Sequence, residues 1–411
     1  MAYANSTYRN LPHLHPPSFK TENSVKYSLP PTPNSTTMTS ITMKKFGHVL
    51  ADLKYITPDD SQVFIENFIG YTSVPLGLAG PLRVHGLDGA PEDAYAPMAT
   101  TEAAIIASCC RGCKALNLSG GTHFSGLGST MSRSPVFQFD SPREAIQFSR
   151  RLPDLKDALA RSAEATSRHA RLQNLTSYIT GSDVYVRFDY TCGDAAGQNM
   201  ATIATQHACD WLRNTSFASE LKIRNFLIEG NMAPDKKPSW GAVVTPRGVE
   251  VVSWAVLSDA ACQQALGCTT ERLYKTHRLL QEGGIRNGQF GCNVNTANVV
   301  TAIFIATGQD VASVAEGAWA HFICDYDFIS KSLRISLHMP SLPIGTVGGG
   351  TGYATQQEAL RIMKCAGPDT KFRLAGIIAA FSIALEISTL AAGASDTFSE
   401  SHQRLARKNK I

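Results

Sequence analysis

The stretch LAGIIAAFSIALEISTLAAGA, residues 374–394, is the most apolar part of the chain. Its length would suffice to cross a bilayer. Glu386 lies inside it, however, and a carboxylate in the middle of a membrane span is energetically costly. Small residues are scattered along the whole stretch. We therefore predict a buried helix at the core of a large soluble domain, and no membrane anchor.

Length and composition set the next expectations. A chain of 411 residues can bury more than one core, so two domains plus an extension are expected. Its 43% hydrophobic and 18% charged residues are ordinary for a soluble enzyme. The net charge of +4 is compatible with a polyanionic small ligand such as a nucleotide or CoA. It is too small to indicate a protein that binds nucleic acid.

Cysteine usage bears on metals and on the cellular compartment. The 10 cysteines include the run CCRGC at 109–113, and none repeats with the paired CxxC spacing of a zinc site. The N-terminus shows no basic region followed by an apolar one, which a secretory signal would need. We therefore expect reduced thiols, a cytoplasmic location and no metal.

Composition and periodicity also divide the chain into segments. Residues 1–42 are rich in Pro, Ser, Thr and Asn and lack apolar periodicity, which predicts a disordered tail. A short helical piece is predicted at 43–65. Residues 134–235 alternate short strands with helical stretches and indicate a small α+β module. The remainder, 66–133 and 236–411, mixes strands with long helices, so the predicted fold class is α+β.

Some local patterns allow finer predictions. ATTEAAIIASCCRGCKAL, residues 99–116, has apolar residues at helical spacing after Thr100 and Thr101, which predicts an N-cap there. Glu102 would then lie in the first helical turn, where the helix dipole favours an acid. The segments WGAVVTP (240–246), VEVVSWAVL (249–257) and LRISLHMP (333–340) are predicted strands.

Four ionisable residues lie in four separate phrases: Glu102, Lys236 in EGNMAPDKKPSW, Asp310 in TAIFIATGQD, and His402 in ESHQRLAR. Taken singly, each also fits an ordinary role, such as a solvated lysine pair, a solvated helix end or a surface histidine. Together, a carboxylic acid, an ammonium, an aspartate and an imidazole can move several protons around a carbonyl.

Two glycine-rich stretches accompany them. GDAAGQNM (193–200) opens a helical run, as anion-binding helix starts do, although a plain capped helix would look the same. GTVGGGTG (345–352) follows a predicted strand, and its amides could approach a phosphate where a Cβ would prevent it. Both stretches could hold a phosphorylated cofactor.

With the phrases around them, these residues resemble the catalytic domain of class I 3-hydroxy-3-methylglutaryl-CoA (HMG-CoA) reductase, from about Glu66 to Arg407. GTVGGGT at 345–351 matches the family phrase without a change, and the SHxxxxR spacing is kept at 401–407. The resemblance implies a large domain around a long buried helix, with a ferredoxin-like NADPH-binding domain inserted at 134–235. It also implies a homodimer or homotetramer with active sites at the subunit interface.

The resemblance further implies roles for individual residues. Lys236 would stabilise the oxyanion, Asp310 would set the pKa values of Lys236 and Glu102, Glu102 would donate a proton, and His402 would protonate the departing CoA thiolate. Positions matching NADPH contacts are Asp194, Gly197, Asn199, Met200, Gly345, Thr346, Val347, Gly348, Gly349 and Arg407. Positions matching substrate or CoA contacts are Ser108, Arg111, Arg133, Asp235, Lys237 and Asn298.

Departures from the family pattern are concentrated in two places. In the segment 277–295 the family's histidine is Asn295, and the lysine that grips the substrate carboxylate has no clear equivalent, Arg278 being nearest by count. Near the C-terminus, Thr389, Ala392 and Gly393 replace larger apolar groups. Three alternatives follow: an NADPH-dependent reductase that makes mevalonate, a poorly active CoA- or NADPH-binding paralogue with a regulatory role, or an inhibitor-resistant reductase copy.

Overall fold

The computed structural model describes residues 65–68, 70–86, 90–215 and 218–395. The chain forms two units, residues 1–72 and 73–411. In the described part of the first, the rings of Phe68 and Tyr71 meet edge to face with centroids 5.1 Å apart. The predicted tail at 1–42, all but the last residue of the helical piece at 43–65, and both His402 and Arg407 lie outside the described residues.

In the second unit, ten strands of the described chain form one sheet, with the central order β7-β4-β6-β3-β8-β10-β9. Strand β1 pairs with β2 and β3, and β5 pairs with β6. The strands are β1 Leu76–His85, β2 Glu92–Ala99, β3 Thr122–Arg133, β4 Val136–Gln138, β5 Arg171–Thr180, β6 Asp183–Thr191, β7 Asn225–Leu227, β8 Gly248–Leu257, β9 His321–Asp327 and β10 Ser332–Leu342.

The α-helices of the described residues are α1 Ile105–Leu118, α2 Pro142–Glu164, α3 Gln198–Asn214, α4 Ala218–Leu221, α5 Trp240–Val244, α6 Asp259–Leu266, α7 Thr270–Asn287, α8 Thr296–Thr307, α9 Val314–Gly317, α10 Ala354–Ile362 and α11 Lys371–Ala394. Single 3₁₀ turns occur at Val311–Ser313 and Gly349–Gly352. The mixture of helices with a largely antiparallel sheet confirms the predicted α+β class.

Helix α11 is the predicted core helix. It is long and apolar enough to cross a membrane, but 94% of its most apolar window is buried inside the protein. The backbones of α11 and α1 touch, because a Cβ at Gly112 would lie 1.8 Å from the carbonyl oxygen of Ala384. Its apolar residues therefore face protein on all sides, which explains why the helix lacks a polar face.

A second hydrophobic core lies within residues 131–221 and includes Phe137, Phe148 and Tyr190. Its elements follow the order β4-α2-β5-β6-α3-β7, and the strands pair antiparallel in the spatial order β7-β4-β6-β5. This β-α-β-β-α-β succession agrees with the ferredoxin-like expectation. Its status as a separate NADPH-binding domain at 134–235 stays a prediction.

Some local predictions were wrong. Helix α1 begins at Ile105, after Ala104 with a left-handed φ of 75°. Glu102 therefore precedes the helix, and its N–H binds the Thr100 hydroxyl at 3.0 Å, a local bond that competes with helix formation.

The segment 240–246 begins with helix α5 and is not a strand. The side chain of Ser239 accepts a hydrogen bond from the N–H of Gly241 at 3.0 Å. This cap outweighs the β propensity of the two valines that follow. The strand predictions at 249–257 and 333–340 are confirmed as parts of β8 and β10.

Candidate active site

The ammonium of Lys236 and the carboxylate of Asp310 form an ion pair, with Nζ and Oδ2 2.8 Å apart. The other oxygen of Asp310 accepts the N–H of Ala312 at 3.2 Å, which orients the carboxylate at the start of a 3₁₀ turn. The hydrogen bond that Lys236 donates to Asp310 is the main cause that raises the pKa of Lys236. Lys236 therefore carries a well-held positive charge at neutral pH.

Glu102, the third member of the predicted group, lies in the exposed turn before α1. Within the described part of the chain it forms no ion pair, so the structure does not join it to Lys236 or Asp310. The catalytic roles of Glu102, Lys236 and Asp310 stay predictions, and the role predicted for His402 lies outside the described residues.

The turn at residues 233–237, here called the Lys236 turn, rests on buried charges. A carboxylate oxygen of Glu316, Oε1, accepts the backbone N–H of Lys236 at 3.2 Å and the Nη1 of Arg247 at 2.6 Å. The Nη2 of Arg247 binds Asp235 at 3.0 Å. Asp235 also faces the guanidinium of Arg133 at 3.5 Å. Two predicted substrate residues, Asp235 and Arg133, thus meet beside Lys236.

Sequence reasoning missed Arg247 and Glu316. Each is a single charged residue in an unremarkable phrase, TPRGV or VAEG, so no local signal marks it. Both side chains are fully buried. Burial is the largest influence on Glu316 and raises its pKa, while the charge of Arg247 opposes this effect.

The two glycine-rich stretches lie against each other. The N–H of Thr346 donates to the carbonyl of Asp194 at 2.8 Å, and Ala195 and Val347 form a parallel bridge. A Cβ at Gly345 would lie 2.4 Å from the backbone nitrogen of Ala196, so only glycine fits there. The structure therefore brings together the segments predicted from sequence to hold one cofactor.

Gln309 connects the glycine stretches to the ion pair. Its side-chain amide donates to the carbonyl of Gly345 and accepts the N–H of the same residue, each at 2.9 Å. Gln309 is buried and directly precedes Asp310. The glycine stretches and the Lys236–Asp310 pair are thus parts of one constellation.

Lys371, at the start of α11, was also missed from sequence. Its ammonium donates to the carbonyls of Gly193 and Ala195 at 3.2 and 2.9 Å. Burial lowers its pKa. The carboxylate of Asp194 accepts the N–H groups of Asp369 and Lys371 at 2.9 and 3.3 Å. Asp194, a predicted cofactor contact, therefore shapes the loop through its side chain.

The remaining predicted cofactor residues fit a cradle of bare backbone. Gly348 and Gly349 have left-handed φ values of 79° and 57°, and a Cβ on either would meet no atom within 4 Å. Val347 is exposed beside them. Gly197 caps the start of α3 with a φ of 87°, so Asn199 and Met200 lie in its first turn. Open backbone next to a helix start suits a phosphorylated ligand.

Ser108 and Arg111 join α1 to α11, and their predicted contact with substrate or CoA stays a prediction. The hydroxyls of Ser108 and Ser388 are 2.8 Å apart, and Arg111 donates to the hydroxyl and carbonyl of Ser388 at 3.0 and 2.5 Å. Burial lowers the pKa of Arg111.

Lys237 is exposed, with Nζ bound to the carbonyl of Asp235 at 3.0 Å, and Asn298 lies half-buried in the first turn of α8.

The divergent segment 277–295, here called the wall segment, lines a cavity of about 450 Å³. Trp240, Trp319 and Phe322 supply aromatic surface to the same cavity. The buried ring of His277 contacts the carbonyl of Phe322 through Nε2 at 3.0 Å, and among the described residues its Nδ1 has no partner. Burial lowers the pKa of His277.

The two divergent places contact each other. Asn295, predicted to stand at the family's histidine position, donates a hydrogen bond from its side-chain amide to the hydroxyl of Thr389 at 2.6 Å. Arg278, the nearest candidate for the missing lysine, forms a surface ion pair with Glu282 at 2.9 Å. The substitutions at 295 and 389 are therefore structurally coupled.

The wall segment is anchored by Glu386, which is fully buried. Its carboxylate accepts the N–H groups of Val294 and Asn295 at 2.7 and 2.8 Å and the hydroxyl of Thr296 at 3.0 Å. Burial is the main influence on its pKa and raises it. Glu386 therefore caps the start of α8 from the middle of α11.

Within the described ranges, no group of three or more His, Cys, Asp or Glu residues could hold a metal ion. The groups described above are charges, backbone amides and an apolar cavity. Such an arrangement suits stabilisation of a developing anion beside a cofactor with phosphate groups.

Comparison with known proteins places this geometry in context. Residues 35–407 match the family model described as hydroxymethylglutaryl-coenzyme A reductase. The 3-hydroxy-3-methylglutaryl-coenzyme A reductase of Methanocaldococcus jannaschii is 34% identical over 345 residues, covering 84% of each chain. That of Haloferax volcanii is 39% identical over 349 residues, covering 84% of this chain and 85% of the relative.

Solved structures give a more distant similarity. The class II 3-hydroxy-3-methylglutaryl-CoA reductase from Streptococcus pneumoniae, bound to NADPH in open conformations, aligns with a TM-score of 0.65 and 16% identity. The alignment covers 88% of this chain and 97% of that chain. At this identity the similarity shows the fold alone.

Proposed function

Because the chain belongs to the hydroxymethylglutaryl-coenzyme A reductase family, we propose that it reduces HMG-CoA to mevalonate and CoA with two NADPH. The observation that carries this proposal is the Lys236–Asp310 ion pair, which Gln309 connects to the joined glycine-rich stretches. That connection couples a fixed cation to a backbone cradle suited to a dinucleotide. The reaction is the first committed step of isoprenoid synthesis.

NADPH supplies hydride when bound. The bare backbone of the glycine run 345–349 and the start of α3 would hold its phosphate groups and nicotinamide, and α3 belongs to the predicted insert 134–235. The ammonium of Lys236 lies ready to stabilise the oxyanion that forms on the substrate carbonyl. Asp310 keeps that ammonium charged, because its hydrogen bond raises the pKa of Lys236.

The proton donors complete the proposal. Glu102 lies in an exposed turn, and its proposed role is to donate a proton to the substrate. The roles of His402 as acid toward the CoA thiolate and of Arg407 as a phosphate contact rest on the SHxxxxR phrase. Asp235, Lys237, Arg133 and Asn298 would hold the acyl group, and Ser108 and Arg111 the CoA.

We further propose a class I enzyme, a divergent soluble copy that acts in the cytoplasm as a homodimer or homotetramer. The resemblance to class I, carried by the phrases at 345–351 and 401–407, supports this assignment. Exposed apolar side chains support self-association, among them Val244, Leu279 and Ile285, which are 83%, 70% and 74% exposed.

A second candidate function is favoured by the divergent places. The substituted positions Asn295 and Thr389 bond to each other and Arg278 is engaged on the surface, so the grip on the substrate carboxylate differs from the family pattern. A CoA- or NADPH-binding paralogue with a regulatory role would tolerate this change. An inhibitor-resistant reductase would do so too, because Thr389, Ala392 and Gly393 alter an apolar groove.

The test is NADPH oxidation by the purified protein with HMG-CoA. We expect two NADPH oxidised per CoA released, and a kcat about 10²–10³-fold lower in Lys236→Ala, because an oxyanion partner is removed. His402→Gln should slow CoA release, and Lys275→Ala, which removes a surface lysine paired with Glu271, should match the wild type. NADPH binding without turnover would favour the binding paralogue. Normal turnover with weak inhibition by groove-filling compounds would favour the resistant copy.

A further inference from the structure

We propose that Arg247 and Glu316 are positioning residues that hold Asp235 and Lys236 in their working geometry. This inference rests on the proposed function of Lys236. The buried ion pair between Arg247 and Glu316 contacts two adjacent residues of the Lys236 turn. No sequence pattern pointed to either member of the pair.

The contacts are direct. Glu316 Oε1 receives the N–H of Lys236 at 3.2 Å and the Nη1 of Arg247 at 2.6 Å. The Nη2 of Arg247 binds Asp235 at 3.0 Å. Both side chains of the pair are fully buried. The pair therefore fixes the backbone of Lys236 and the carboxylate of Asp235 simultaneously.

The backbone of Lys236 needs such a restraint. Its φ of 59° lies in the left-handed region, which is strained for a residue with a Cβ. Neighbouring turn bonds join Asp235 to Ala233 and Lys237 to Pro234, whereas the N–H of Lys236 itself is held by Glu316. Without that bond the residue can relax to negative φ, and its ammonium would move away from Asp310.

The arrangement is poorly suited to a purely stabilising role. Within the described residues, Glu316 Oε2 and Arg247 Nε are buried without a hydrogen-bond partner. A buried ion pair is often no more stabilising than apolar side chains of the same volume. The geometry it imposes on the Lys236 turn is what such a pair supplies and apolar side chains would not.

Other charges facing the pair are already engaged. Arg133 contacts Asp235 at 3.5 Å and Glu229 at 3.1 Å, and Lys236 Nζ faces Asp310. Removing the charge of Glu316 therefore leaves Arg247 balanced by Asp235 alone. We expect the Lys236 turn to shift toward Arg247 and the Lys236–Asp310 distance to increase.

The test compares Glu316→Gln, Glu316→Asp and Arg247→Lys with the wild type. Steady-state kinetics should show kcat at least tenfold lower in Glu316→Gln and Arg247→Lys, while the NADPH dissociation constant, measured by fluorescence titration, stays within twofold. Glu316→Asp keeps the carboxylate and should recover part of kcat. Asp325→Asn is the control, because it breaks a surface pair with Arg334, and no hydrogen bond or ion pair of the described residues joins either of these two to the Lys236 turn.

A second readout does not require turnover. In competitive acylation with acetic anhydride, read by mass spectrometry, Lys236 should react at least threefold faster in Glu316→Gln and Arg247→Lys, because its ammonium leaves Asp310. Lys275 in the same samples should react at an unchanged rate, and a purely structural role would change neither lysine selectively.

Unchanged acylation of Lys236 in folded variants would overturn the proposal. A wild type without turnover but with the expected acylation change would instead contradict the proposed function and leave the positioning role supported. If Glu316→Gln does not fold, the same acylation comparison on Arg247→Lys and Glu316→Asp decides.

Discussion

The Lys236 turn and the wall segment differ in how they use charged side chains. In the Lys236 turn, charges meet opposite charges: Lys236 meets Asp310, and Arg247 meets Glu316 and Asp235. The wall segment lines an apolar cavity, and Arg278 within it forms an ion pair on the surface. Glu386, which lies behind this segment on α11, accepts hydrogen bonds from its backbone N–H groups. From the sequence, the first region was predicted to keep the family phrases and the second to depart from them. Multiply bonded charges leave little room for substitution, whereas an apolar wall can be rebuilt.

Two positions predicted to depart from the family pattern, one in the wall segment and one on α11, contact each other. Asn295 and Thr389 stand on α8's cap and on α11, and their side chains share a hydrogen bond of 2.6 Å. Replacing only one of them would leave a polar group without that partner. The contact thus joins two positions predicted to diverge, and Glu386 fixes the backbone at Asn295.

The largest expected effect would separate the two regions. Glu386→Ala removes the acceptor for two N–H groups and one hydroxyl, and each buried donor left unpaired costs about 1–3 kcal/mol. We expect the free energy of unfolding to fall by about 3–5 kcal/mol in urea titrations. Glu386→Gln keeps one acceptor oxygen and should lose about half as much.

Glu282→Ala is the control for this prediction, because Glu282 lies exposed on α7 and should change stability by less than about 0.5 kcal/mol. Folded Glu386→Gln protein should still bind NADPH normally. Equal stability of Glu386→Ala and wild type would show that the wall is not anchored in this way, and the contrast with the Lys236 turn would fail.

The next effect concerns the cofactor cradle. A Cβ in Gly345→Ala would lie 2.4 Å from the nitrogen of Ala196 and force the glycine stretches apart. We expect the NADPH dissociation constant, measured by fluorescence titration, to rise at least about tenfold, or 1.4 kcal/mol. Gly352→Ala is the matched control, because its Cβ would meet no atom within 4 Å. Equal affinities in the two variants would contradict a role for this close approach.

Sequence patterns could predict the parts of this site that carry local signals. The apolar composition of residues 374–394 predicts a buried helix. The glycine run at 345–352 indicates that another group can approach its backbone closely. Arg247 and Glu316 have no such pattern, because their importance arises from burial and from partners distant in sequence. The same limit applies to Lys371, whose ammonium holds carbonyls of a loop far earlier in the chain.

Local predictions failed where short-range bonds decide the backbone. The start of α1 was misplaced because Thr100 binds the N–H of Glu102 and Ala104 takes a left-handed φ. Helix α5 was read as a strand because two valines outweigh a serine cap in a propensity argument, whereas Ser239 caps the helix in the structure. Neither outcome changes the fold, but the first moves Glu102 out of the helix.

A smaller effect tests how tightly the Lys236 turn controls charge. The hydrogen bond that Lys236 donates to Asp310 raises the pKa of Lys236, so the stabilising contribution of this bond is present below the unfolded lysine pKa and is lost as pH rises through the folded one. Asp310→Asn removes this support. The alkaline limb of kcat should therefore move to lower pH, with kcat at neutral pH about tenfold lower.

Asp325→Asn, which breaks the surface pair with Arg334, should leave the limb in place. A limb that stays put in Asp310→Asn would mean that another group controls the alkaline loss of activity. The Lys236 turn would then resemble the wall segment, as a structural rather than an electrostatic device.

The smallest effect belongs to the wall. Burial lowers the pKa of His277, so the folded protein binds fewer protons there than the unfolded chain and loses stability as pH falls below about 6.5. His321, whose pKa burial also lowers, lines the same cavity and contributes in the same direction. His277→Gln keeps a donor for the Phe322 carbonyl but cannot be protonated, so its Tm should fall about 2 °C less than that of wild type between pH 7 and 5. The exposed His169, changed to Gln, should give the wild-type dependence. An equal loss of Tm in His277→Gln and wild type would mean that another group causes the acid sensitivity. A smaller loss in His277→Gln would show that protonation of His277 in the wall segment destabilises the fold, at a pH where the Lys236 ammonium remains fully charged.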